Sequence, residues 1–108
     1  MNEKLLKIIN HYGVMPQLKY FQSEVFVLNE AIIEYEFIKK DNYEEEAIYN
    51  MKKWDEDFFK NHVAEEIADV LVMVYQFLEY YGIDQVEVCK TMDYKIDRQI
   101  ERIENENN

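Results

Sequence analysis

A chain of 108 residues with 23 acidic against 12 basic side chains, formally −11, is too acidic to grip a nucleic-acid backbone through its phosphates. The 48% hydrophobic share excludes a disordered chain, and two Gly with one Pro leave few turns, which is the composition of a single helical domain over 1–108. The lone Cys89 permits no internal disulfide, no apolar run approaches the ~18 residues of a membrane span, and MNEKLLKIINHYG is too short and charged for a secretory signal. The expectation is a cytoplasmic protein with no membrane contact.

In chain order, Asn2 can cap a first helix to about His11, with Leu5, Ile8 and Ile9 on its apolar side and Gly13 as its stop. Pro16 fits the first turn of a second helix, from about Met15 to Lys39 or Lys40, in which Leu18, Phe21, Val25, Leu28 and Ile32 recur at helical spacing. Asp41-Asn42 breaks it. Within 43–60, Ala47, Met51, Trp54 and Phe58 suggest a further amphipathic helix, although the flanking charges suit a mobile loop equally. A third long helix is expected from Asn61 or His62, either of which can cap it, to just before Gly82. Asp84 with Glu87 predicts a capping box for the last helix, whose apolar seam is Cys89, Met92, Ile96, Ile100 and Ile103. The polar tail from about 104 is expected to fray. Short connections between long amphipathic helices predict an all-α fold, an antiparallel bundle of four to five helices.

From Ile67 to Leu78 the chain reads IADVLVMVYQFL, and only Asp69 and Gln76 in it are strongly polar. A helix apolar nearly all round is usually buried, and a buried carboxylate needs a partner, so Asp69 is expected inside the bundle. Glu66, three residues earlier, shares its face. Adjacent carboxylates repel unless a cation sits between them, and oxygen-only ligands suit Mg2+. The plainer alternative is an ExxD pair at the solvated start of a helix.

His62, Glu66, Asp69, Met73 and Gln76 fall on one narrow helical stripe, and Gln17, Tyr20, Phe21, Glu24, Val27 and Leu28 on another. Packed antiparallel and face to face, these stripes would bring Glu24, Glu66 and Asp69 together, in the kind of setting where bundles build carboxylate metal sites. Taken alone, Glu24 reads as a boundary residue facing water. Lys95, Arg98 and Arg102 share a face of the last helix, which suits phosphate recognition, although taken alone surface pairing with Asp97, Glu101 and the abundant acidic residues elsewhere is the more ordinary reading. Tyr12, Trp54, Tyr80 and Tyr81 could stack on a base, yet aromatics at helical spacing are more often core. A lone His62 makes no zinc site, and Cys89 in an apolar seam reads as packing. There is no Gly-rich phosphate loop and no catalytic-triad pattern.

Tyr12-Gly13, Gln17-Leu18, Glu24, Ala31-Ile32, the run EEIADVL from Glu65 to Leu71, Tyr81-Gly82-Ile83, Lys95 and Arg98 together resemble the MazG-like nucleoside triphosphate pyrophosphohydrolases. That all-α group also contains dimeric dUTPases and phosphoribosyl-ATP pyrophosphohydrolases. The likeness runs from about Tyr12 to Ile103, and EEIADVL is its most specific piece. The family motif pairs EExxE on one helix with ExxD on another, together holding Mg2+. Here ExxD is intact as Glu66 and Asp69, whereas the first half reads Ser23-Glu24-Val25-Phe26-Val27. Ser23 replaces the first Glu, and Val27 stands where the family has a metal-ligating Glu.

The resemblance implies Mg2+- or Mn2+-dependent cleavage of a (deoxy)nucleoside triphosphate to the monophosphate and pyrophosphate. It implies Glu24, Glu66 and Asp69 as metal ligands, Glu24 or Glu66 as the catalytic group that orients water, and Lys95 and Arg98 as phosphate-binding residues. It further implies a homodimer or homotetramer, in keeping with more apolar helix faces than so short a chain can cover. Val27 opens an alternative, a relative that binds nucleotide without cleaving it. A second alternative, an acidic DNA-mimicking inhibitor, is compatible with the −11 charge and nine Tyr. A mimic spreads its carboxylates over an exposed surface, whereas an enzyme gathers them at a cleft.

Overall fold

A computed structural model describes residues 2–39 and 46–106 of the protein, with side chains described over 2–39 and 56–106. The fold is all-α, with helices α1 (Asn2–Tyr12), α2 (Val14–Lys39), α3 (Glu46–Tyr81) and α4 (Gln85–Glu106), and no strand among the described residues. The predicted break at Asp41-Asn42 lies outside the described residues. A separate helix start at Asn61 or His62 does not occur, because α3 runs unbroken from Glu46. No Gly or Pro interrupts that stretch, and one Asn in a helix interior costs only a fraction of a kcal/mol. Helix α4 continues through Glu104 to Glu106, further than the expected fraying.

Glycines make the two tightest connections. Gly13 has φ 92° and its N–H donates to the Ile9 carbonyl at 2.8 Å, closing α1, while its own carbonyl accepts from Gln17 N at 3.1 Å. A left-handed residue here lets the chain pass from α1 to α2 with no further loop. Gly82 (φ 65°) ends α3 in a Schellman arrangement, with Ile83 N donating to Leu78 O at 2.9 Å and Gly82 N to Glu79 O at 3.3 Å. Asp84 then caps α4 by accepting from Val86 N at 2.9 Å. The reciprocal half of the capping box does not form, since Glu87 turns to Lys90 Nζ at 3.5 Å.

α2 and α3 pack antiparallel, with Phe21 and Phe77 edge to face at 5.9 Å, and α1 lies against both. The buried set among the described residues is small: Leu5, Ile9, Ala31 and Met73, with the polar Gln17 and Gln76. Helix α4 buries no residue. Its expected seam, Cys89 included, is open in the single chain, so Cys89 does not serve as packing there. Asp69 is likewise exposed rather than enclosed, and Leu71 beside it is 45% exposed. The physical reason is that only the Met73–Gln76 side of α3 is covered by α1 and α2, which leaves the rest of its apolar surface open.

The radius of gyration, 18.9 Å, exceeds the ~13 Å of a compact domain of this length. The accessible surface, 8882 Å2, exceeds by about 2,500 Å2 what a compact monomer of this mass exposes. No helix among the described residues is long and apolar enough to cross a membrane.

Candidate functional site

The hydrogen bond from Gln17 Nε2 to Gln76 Oε1, 2.8 Å long, sets the register of α2 against α3. Glu24 lies seven residues after Gln17 and Asp69 seven before Gln76. In an antiparallel pair that is the same displacement, about 10 Å, along both helices. Glu66 follows one turn further along α3. Carboxylate oxygens of Glu24, Glu66 and Asp69 accordingly come within 4.8 Å of one another, with Glu24 and Glu66 half-buried and Asp69 exposed. The two sequence stripes do face each other as their spacing suggested.

His62 Nδ1 stands 4.0 Å from Glu66 Oε1, an ion pair when the ring is protonated. Tyr20, one turn before Glu24, hydrogen-bonds to it. That bond first, then the Glu24 charge, push the Tyr20 phenol above its ordinary value, and Asp69 and Glu66 act in the same sense. Tyr20 therefore borders the cluster. Sequence reasoning placed it on the right stripe but gave it no role, although a Tyr four residues before a carboxylate on one helix is within reach of it.

Beside the cluster lies a cleft of about 600 Å3 between α1, α2 and α3. Asp69 and Tyr20 line it next to the carboxylates, Tyr12, Pro16 and Val72 contribute to its sides, and Gln17, Met73 and Gln76 are its buried polar and sulfur-bearing residues. Tyr12, one of the suggested base-stacking residues, reaches it; Tyr80 and Tyr81 are not among its lining residues, and the Trp54 side chain lies outside the described residues. Val27 is half-buried on α2, one turn past Glu24.

Lys95, Arg98 and Arg102 do share one surface, lining a shallow pocket with Gln99 on α4, and Arg98 stacks 5.8 Å over the Tyr94 ring. Among the described residues none of the three makes a salt bridge, so pairing with Asp97 or Glu101 does not occur. They do not line the cleft of their own chain.

Three oxygen-only donors open on one side to solvent fit a hard divalent cation that keeps several waters, because water or phosphate oxygens can complete the shell. No protein-family model, curated protein or solved structure matches the chain. The resemblance to MazG-like enzymes rests on the residues themselves.

Proposed function

We propose that this protein is a MazG-like nucleoside triphosphate pyrophosphohydrolase, dependent on Mg2+ or Mn2+, converting a (d)NTP to the (d)NMP and pyrophosphate. The observation that carries the reading is the convergence of Glu24, Glu66 and Asp69 at the rim of a cleft that can house a small molecule. Those three carboxylates would hold the metal, which supplies charge neutralisation at the phosphate oxygens. Glu24 or Glu66 orients the attacking water and accepts its proton. The water oxygen joins phosphorus as the α–β anhydride bond breaks and pyrophosphate departs. Gathering of the carboxylates at a cleft argues against the DNA mimic.

Lys95 and Arg98 belong to the reading as phosphate-binding groups supplied by a second copy of the chain, since they stand outside the cleft of their own. The open α4 seam and the excess accessible surface support a homodimer or homotetramer. Val27 favours a second reading, a relative that binds nucleotide without cleaving it. Pyrophosphate release from a nucleotide panel, with and without Mg2+, separates the two. Mg2+-dependent release supports the enzyme, whereas nucleotide binding without release supports the second reading.

A further inference from the structure

The cleft has a buried, polar floor with a fixed direction. Gln17 is 7% and Gln76 1% exposed, and Met73 is buried with them. Gln76 Nε2 lies 3.5 Å from Met73 Sδ. A thioether sulfur accepts hydrogen bonds weakly and cannot donate, which favours the amide nitrogen of Gln76 on its side and the amide oxygen towards Gln17. Gln17 answers with Nε2, 2.8 Å from Gln76 Oε1 and 4.0 Å from the same sulfur. Its own Oε1 is left without a partner among the described residues. None of their side-chain N or O atoms is both sealed from solvent and unpartnered, so this oxygen keeps some exposure to solvent, and Gln17 lines the cleft. A residue more than nine-tenths buried thus keeps one free acceptor, and that residue lines the cleft. The faces around it are ring and aliphatic surfaces from Tyr12, Pro16, Tyr20 and Val72, suited to a flat heterocycle.

We propose that this slot holds the base of the nucleotide, that a base N–H donates to Gln17 Oε1, and that Met73 sets the base preference by fixing the polarity of the Gln76–Gln17 pair. The inference rests on the nucleotide reading of the carboxylate cluster, because Asp69 lines the same cleft and would place the phosphates at its rim. Gln17 is the specificity-determining contact, and Met73 is a positioning residue acting through Gln76.

Dissociation constants for dATP, dCTP, dGTP and dTTP test it, measured with Ca2+ in place of Mg2+ to slow turnover. Tripolyphosphate serves as the probe that lacks a base. Gln17→Met should weaken the preferred triphosphate about tenfold to a hundredfold relative to tripolyphosphate, the loss expected when a base donor is left unpaired. Met73→Leu conserves volume and frees the amide pair to reverse, so it should narrow the spread among the four constants while binding of tripolyphosphate persists. Circular dichroism of both variants establishes that the helices are intact. Tripolyphosphate binding with triphosphate affinities and preference unmoved by either variant would overturn the base assignment alone. Failure of the wild type to bind either tripolyphosphate or any triphosphate would remove the nucleotide reading, and this inference with it.

Discussion

Gln17 and Gln76 meet across α2 and α3 through a 2.8 Å hydrogen bond, and the displacement from that bond to Glu24 on one helix equals the displacement to Asp69 on the other. The candidate site is thus a consequence of register, and the amide pair is what holds the register at its buried end.

Truncating one member of that pair strands the other. Gln76→Leu should destabilise the protein by about 1–3 kcal/mol, because the Gln17 amide loses its partner while buried. Thermal denaturation should show a fall in Tm of at least ~4 °C for a domain of this size. The double variant Gln17→Leu/Gln76→Leu should recover much of that loss, since removing both partners leaves nothing unsatisfied. Additive losses in the double variant would show that the two amides do not act as a pair.

The open seam of α4 predicts self-association. About 2,500 Å2 of excess surface per chain amounts to roughly 5,000 Å2 for a pair of copies, within the range of obligate interfaces. Sedimentation equilibrium at micromolar concentration should return a dimer or tetramer, and Ile96→Glu with Ile100→Glu should shift the mass towards the monomer. A wild-type monomer under those conditions contradicts the prediction.

Much of this architecture was legible in the sequence, and the failures have identifiable causes. Gly13, Gly82 and Asp84 announced helix ends because left-handed φ values and side-chain caps are local demands. The convergence of Glu24 with Glu66 and Asp69 was legible because a helical stripe is a matter of rotation per residue. Asp69 is exposed where its apolar surroundings suggest enclosure. An apolar run reports that a helix wants covering, and in the single chain α1 and α2 cover only the side bearing Met73 and Gln76. The helix start expected at Asn61 or His62 is absent because a residue able to cap also sits in a helix interior at little cost. The Tyr20–Glu24 contact follows from i,i+4 spacing on α2 and was legible in principle, whereas the direction of the amide pair has no sequence signature, since it depends on which atoms meet across α2 and α3.

Val27 places an isopropyl group one turn from Glu24, where the MazG-like pattern has a carboxylate. Under the proposed activity turnover in this chain should be low, and Val27→Glu should raise pyrophosphate release by about tenfold to a hundredfold at saturating Mg2+, the scale of a positioning or general-base contribution. Equal and high rates in both proteins would show that Val27 is harmless and the site is built differently. Equal and negligible rates with folding intact would favour nucleotide binding without cleavage.

The proposed function requires Glu24, Glu66 and Asp69 to hold one divalent cation together. Mg2+ should stabilise the folded protein by mass action, and Asp69→Asn should remove that gain. The most direct measurement is a Mn2+ titration followed by electron paramagnetic resonance, with Asp97→Asn on α4 as the control for loss of one negative charge. One saturable Mn2+ per chain is expected, displaced by Mg2+, retained in Asp97→Asn and abolished in Asp69→Asn. Absence of saturable binding in the wild type, or equal binding in Asp69→Asn, would contradict it.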